Sequence, residues 1–385
     1  MQSSAVIGLG FGDEGKGKVV SYLCPPPSHP ALIVRFCGGH QAGHKVMVDW
    51  LGTHIFSNFG SGTLQGNPTY WSKFCTVDPH GLLNEYDILK NIGVTPTIFI
   101  DDKCPVTTPL EFMINRALDR KHGHGSCGVG VGQTLQREQE HYSLTVGDLQ
   151  YPWVLKTKLQ LLDKYYTDNP NYPIIESDFD ADDFTGFMEI CQEFLDCPAV
   201  KIVQGMPTRY DRVIFEGAQG LLLDQNFGFF PHVTRSNTGM KNIAKLGYSN
   251  PTIYLVTRAY QTRHGNGPMS NERFSVKVDN PHEHNSNEGF QGEFRITPLD
   301  FNLLRYAINK DEYIRNSTNK ILVVTCLDTM GKEFPFSVDS QIYSAGESQF
   351  VRHLSRYLGI RKVMMSRSPY SFSMDTCPGF VMPKK

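Results

Sequence analysis

The stretch Gly8-Leu9-Gly10-Phe11-Gly12-Asp13-Glu14-Gly15-Lys16-Gly17-Lys18 joins a short apolar run, Ala5 to Gly8, to a helix-like segment, Lys16 to Leu23. Gly8, Gly10 and Gly12 let the backbone turn tightly and approach a ligand, and a helix start offers free N–H groups to an anion. The stretch therefore predicts a phosphate cradle on a strand-to-helix loop. A glycine run alone can be no more than a tight turn; Asp13 and Lys16 inside it favour phosphate. A P-loop would place Ser or Thr after Lys16, but Gly17 occupies the position of the hydroxyl that meets magnesium. Asp13 is then the candidate to hold the metal and to take a proton beside bound phosphate. The dinucleotide-binding fingerprint fits less well, because its third glycine is displaced.

Outward from this loop the pattern repeats. Apolar runs at Ala31 to Phe36, Thr97 to Ile100, Val213 to Phe215, Ile253 to Val256 and Ile321 to Thr325 suit strands buried on both faces. Helix-like stretches lie between and after them: Pro109 to Arg120, Met188 to Leu195, Leu299 to Asn309 and Ser348 to Leu358. The alternation predicts an α/β fold, a mainly parallel central sheet flanked by helices, with ligands at the carboxyl ends of the strands. We read residues 1–385 as one domain, with irregular insertions near 162–186 and 276–292 and a surface turn at Pro25-Pro26-Pro27.

The composition excludes several classes. With 37 Lys and Arg against 39 Asp and Glu, the formal charge of -2 gives no basis for a nucleic-acid or membrane surface. Met1 to Leu9 lacks the regions of a signal peptide and no run approaches a membrane span, so a cytoplasmic location is expected. The 9 cysteines include no CxxC pair and read as reduced thiols, not a disulfide framework or zinc cage.

A second loop, Cys37-Gly38-Gly39-His40-Gln41-Ala42-Gly43-His44, follows the second strand. Its glycines argue against the helix that two histidines four apart would need to bind zinc together. A histidine facing the first loop could instead donate a proton, or simply sit exposed.

Together, GFGDEGKGK at 10–18 and RFCGGHQAGH at 35–44 resemble the two signature loops of the adenylosuccinate synthetases. The resemblance continues in order through EGAQGLLLD at 216–224, PHVTRSNT at 231–238, TRAYQTRHGNGP at 257–268, TCLD at 325–328 and SRSP at 366–369. It implies a P-loop-like GTP-binding ligase fold and a homodimer. The implied reaction has two steps: GTP phosphorylates the 6-oxygen of inosinate, and L-aspartate then displaces that phosphate. Asp13 would be the base, His44 the acid and Lys16 the fixed positive charge. Mg2+ would be held by the Asp13 carboxylate and the Gly43 carbonyl. Gly12, Glu14, Gly15, Gly17 and Lys18 would meet GTP, as would Asp328, Ser366 and Pro369. A carboxylate at 328 accepts two hydrogen bonds from guanine and finds no such donor pair on adenine. Gln41, Ser126, Cys127, Gln219 and Thr234 would meet the purine nucleotide.

The departures cluster around substrate identity. The family's arginine run before a TGWLD-like block is reduced to GEFRITPLD at 292–300, leaving Arg295 as candidate anchor for the amino acid. The arginine normally lent across the dimer is missing before VGDL or displaced to Arg137, and Arg235 is a candidate replacement. Cys326 stands where lysine is common. Two alternatives follow: the same chemistry on a related nucleotide such as dGMP or dIMP, as in phage-type relatives, or a non-catalytic nucleotide-binding regulator. Asp13, Lys16 and His44 argue against the regulator; Gly17 argues against a P-loop kinase or GTPase switch.

Overall fold

The computed structural model describes residues 2–49, 51–122, 126–172, 184–283, 285 and 291–377. Its centre is a ten-stranded sheet. In chain order the strands are β1 (Gln2–Gly8), β2 (Leu32–Arg35), β3 (Thr69–Trp71), β4 (Ile98–Asp101), β5 (Val200–Val203), β6 (Arg212–Gly220), β7 (Thr252–Arg258), β8 (Lys320–Thr325), β9 (Lys362–Ser366) and β10 (Met374–Cys377). Across the sheet they run β10-β9-β8-β7-β1-β6-β2-β3-β4-β5. Every neighbouring pair is parallel except β9 and β10, which meet antiparallel at one edge. All six apolar runs read from the sequence lie in this sheet.

Strand pleating explains why those runs are continuously apolar. In β1, Ala5 and Ile7 enter one core cluster while Val6 enters another; in β2, Leu32 and Val34 part from Ile33 in the same way. A third cluster packs Trp71, Ile98 and Ile100 against the helices Pro79–Asn91, Pro109–His122, Pro152–Thr167 and Phe184–Asp196. Helix α1 (Lys16–Leu23) starts where expected, with Gly15 left-handed at its N-cap (φ 86°).

Two boundaries differ from expectation. The helix Pro152–Thr167 runs through 162–167, so that part is regular, because Leu155, Leu159, Leu162 and Tyr166 make a buried stripe at helical spacing. Residues 168–172 carry no helix or strand, as read, and 173–183, up to the helix at Phe184, lie outside the described residues. The helix expected from Leu299 begins at Phe301, because Asp300 caps it by accepting from the Asn302 and Leu303 amides.

Residues 276–283 carry no helix or strand, as read, while 284 and 286–290 lie outside the described residues. Pro26 and Pro27 are exposed. The described cysteines are free thiols. Among the described residues no helix is long and apolar enough to cross a membrane.

Candidate active site

The carboxyl ends of β8, β7, β1, β6 and β2 converge on a cavity of about 500 Å³. Its wall includes Gly12, Asp13, Gly15, Lys16, Gly17 and Lys18 from the first loop, and Gln41, Gly43 and His44 from the second. Asp328, Ser366 and Pro369 line it from the far side. The two loops that the sequence singled out therefore face one space.

Backbone strain concentrates here. Asp13 (φ 60°), Gln219 (φ 54°) and Cys326 (φ 57°) are left-handed residues other than glycine, and all three line the cavity. Each conformation costs on the order of 1–3 kcal/mol, which the surrounding sheet must over-determine. The Asp13 carbonyl accepts a hydrogen bond from Arg258 Nε, while its carboxylate has no hydrogen-bond partner among the described residues. The strained turn thus delivers an unengaged carboxylate to the cavity.

Glu14, expected among the GTP contacts, turns inward instead. Its side chain is buried, absent from the cavity wall, and accepts from the amides of Gly10 (3.0 Å) and Gly12 (2.9 Å) and from Lys16 Nζ (2.5 Å). Two loop amides and an ammonium thus surround a carboxylate of the loop's own, the surroundings that an oxyanion favours. A β-carbon on Gly8 would lie 2.3 Å from Glu14 Oε2, which explains the glycine there.

The missing P-loop hydroxyl has a steric cause. A β-carbon on Gly17 would lie 2.8 Å from His44 Cβ and 2.8 Å from Ser61 Oγ. The space that a P-loop gives to Ser or Thr is taken here by His44.

His44 opens the hairpin His44–Val48/Gly52–Phe56 and is buried. Its Nδ1 lies 2.5 Å from Glu216 Oε1, and the same carboxylate accepts from the Ser61 amide (3.0 Å) and hydroxyl. Burial lowers the His44 pKa against the opposing pull of Glu216. Burial would raise the Glu216 pKa, but His44, Arg35 and Ser61 outweigh it and lower it. With Nδ1 held by the Glu216 carboxylate, Nε2 is the ring nitrogen left for a ligand. Sequence reading passed over Glu216, although it opens the EGAQG block.

On the far wall, Lys18 Nζ donates to Ser366 Oγ and the Ser368 carbonyl. Burial lowers its pKa to about 8 despite the opposing pull of Cys326 and Asp328. Asp328 is exposed. The Gln41 and Gln219 amide oxygens are buried without a hydrogen-bond partner among the described residues, as expected of groups awaiting a polar ligand. Cys127 also lines the cavity.

Besides Glu14, five expected residues stand apart from the cavity wall. Ser126 is held by Asn115 and Asp119. Thr234 is half-buried and Arg235 exposed, and neither lines the cavity. Arg295 is taken up by Glu272 and the carbonyls of Gly265 and Gly267. Arg137 is fully buried with Glu111 and Glu138 and serves as an internal strut. Arg258, Asp279, His282 and Glu283 line the cavity instead, unanticipated.

The residues fit a magnesium ion. Among the described residues no group of three or more His, Cys, Asp or Glu could hold a metal alone. Magnesium asks for less, one or two carboxylates plus phosphate and water oxygens, and the Asp13 carboxylate and the Gly43 carbonyl are hard oxygen donors of that kind.

Comparison with known proteins places the chain in a family. The adenylosuccinate synthetase of Methylococcus capsulatus is 32% identical over 69% of this chain and 64% of its own length. That of Borrelia duttonii is 27% identical over 88% of this chain and 81% of its own. The fully ligated adenylosuccinate synthetase from Plasmodium falciparum superposes with a TM-score of 0.76 at 17% identity, covering 97% of this chain and 99% of that one. Succinoaminodeoxyadenylate synthetase of cyanophage S-2L, bound to dGMP and dATP as an energy donor, gives 0.62 at 14% identity, over 98% and 95%. The family model for adenylosuccinate synthetase matches residues 5–350, and the chain belongs to that family, one of carbon–nitrogen ligases.

Proposed function

We propose that the chain catalyses GTP-dependent ligation of L-aspartate to a 6-oxopurine nucleotide, inosinate first, giving adenylosuccinate, GDP and phosphate. One observation carries this reading: Asp13 with its unengaged carboxylate, Lys16 and the Glu216-held His44 line one cavity. Asp13 takes the N1 proton, so that electron density moves to O6 and that oxygen attacks the γ-phosphorus. His44, through Nε2, stabilises charge on the transferring group, and Lys16 supplies fixed positive charge once it exchanges Glu14 for phosphate. When bound, magnesium neutralises phosphate charge beside Asp13 and Gly43. The purine oxygen then departs as phosphate when the amino group attacks C6. Gln41, Cys127 and Gln219 face the nucleotide; Lys18, Asp328, Ser366 and Pro369 face the guanine end. Cytoplasmic location and a homodimer belong to the same reading.

The test is incubation with magnesium, GTP and a panel of ribo- and deoxy-6-oxopurine nucleotides, with and without aspartate. Phosphate release that needs nucleotide and aspartate together supports the reading, and the panel shows whether inosinate, dIMP or dGMP is preferred. Binding without turnover across the panel overturns it in favour of a regulatory nucleotide-binding protein.

A further inference from the structure

Arg295 is committed to Glu272 and two carbonyls, so a different group must receive the amino acid. Among the described residues the only arginine lining the cavity is Arg258, at the end of β7 beside β1. Its side chain is buried, Nε donates to the Asp13 carbonyl, and Nη1 donates to the Tyr260 hydroxyl at 3.0 Å. The same Nη1 meets Glu283 Oε2 at 2.5 Å. The Glu283 carboxylate also accepts from Asn280 Nδ2 at 3.3 Å and Asn285 Nδ2 at 2.9 Å. The chain's own carboxylate thus sits on a guanidinium, against the wall of the ligand cavity and one hydrogen bond from the catalytic loop.

The segment carrying Glu283 is pinned at two points. The Asp279 amide donates to the Thr329 carbonyl at 2.9 Å, and Lys45 Nζ donates to the His282 carbonyl at 2.9 Å. Tethered this way, Glu283 competes with any free carboxylate for Arg258 at a high local concentration.

Resting on the reading above, we infer that Arg258 is the carboxylate anchor for the amino-acid substrate and that Glu283 holds that place until the substrate displaces it. A guanidinium suits this task, since its planar fork grips a carboxylate through two N–H groups. The contact with the Asp13 carbonyl places the incoming amino acid next to the base that prepares the purine oxygen. Apparent affinity for aspartate is then reduced by the fraction of molecules in which Glu283 occupies the site.

The experiment uses the full chain and compares the KM for aspartate in wild type, Glu283→Gln and Arg258→Lys. Glu283→Gln should lower the aspartate KM by roughly threefold to tenfold, because less of the anchor is blocked. Arg258→Lys should raise it by about tenfold or more, because an ammonium lacks the fork. Hydroxylamine, an amine with no carboxylate, should gain nothing from Glu283→Gln. An aspartate KM that is unchanged or raised in Glu283→Gln overturns the inference, as does a shift falling on the GTP KM instead. An equal gain with hydroxylamine also overturns it.

Scrambling of a bridge 18O in GTP, which needs nucleotide but no amino acid, reports the phosphoryl step alone. Scrambling in the wild type combined with a failed aspartate prediction rejects only the anchor; absence of scrambling rejects the parent reading.

Discussion

Replacing Gly17 by alanine adds one carbon, and the structure sets its consequence. The new β-carbon would lie 2.8 Å from both His44 Cβ and Ser61 Oγ. Ordinary carbon contacts lie at about 3.5–4.0 Å, so the shortfall is about 1 Å. Neither neighbour yields easily, because His44 Cβ is fixed by its hairpin backbone and Ser61 is fixed by its hydrogen bonds to Glu216. Overpacking of this kind costs about 1–3 kcal/mol. Alanine in place of a helical glycine returns up to about 1 kcal/mol, so net stability should fall by no more than about 3 kcal/mol. Turnover should suffer far more, since a misplacement of about 1 Å at a catalytic group can cost on the order of 10²-fold. The assays are calorimetric Tm and phosphate release with GTP, nucleotide and aspartate. A Gly17→Ala protein with a raised Tm and undiminished turnover would refute the reasoning, because it would mean that His44 does not need the space.

Other perturbations address the remaining groups. Asp13→Asn and His44→Asn should each lower turnover by about 10²-fold or more, and near-normal phosphate release in either removes its assigned role. Glu216→Gln keeps the shape but turns an amide N–H toward the Ser61 donors or the imidazole. It should lower turnover and leave a flattened pH profile, whereas an unchanged profile denies Glu216 its hold on His44. Lys18 is charged below its pKa, which burial lowers to about 8. In the free enzyme kcat/KM for GTP should therefore decline as pH rises through that region, and Lys18→Arg should abolish the decline because a guanidinium stays charged. A limb that persists in Lys18→Arg belongs to another group. Asp328→Asn should narrow the preference for GTP over ATP, measured as a ratio of kcat/KM values; an unchanged ratio rejects the guanine contact.

The sheet was legible because its strands are buried on both faces, so β1, β2, β4, β6, β7 and β8 announce themselves as unbroken apolar runs. The strands β3, β5, β9 and β10 did not. β3 has only three residues, β5 is only half-buried, and β9 is rich in methionine, a weak strand signal. The helix Pro79–Asn91 went unread although Asp78 and Pro79 supply a capping side chain and a proline at its first turn.

In the site, residues tied to the backbone turns of the two glycine loops were found from spacing, because loop geometry is local. Glu216 was missed because its partner His44 is 172 residues away on a separate hairpin, and Arg258 because Glu283 meets it from a segment with no helix or strand. Arg295 and Glu14 are the opposite case. Chemistry suits both for a ligand, yet neighbouring amides, carbonyls and charges already claim them.

The most direct measurement follows an oxygen atom. With the 6-oxygen of the purine nucleotide labelled with 18O, complete turnover with GTP and aspartate should place the label in the released phosphate, because that oxygen becomes the phosphate acceptor. Released phosphate free of label, alongside the aminated product, would show that Asp13 does not turn the ring oxygen into a nucleophile.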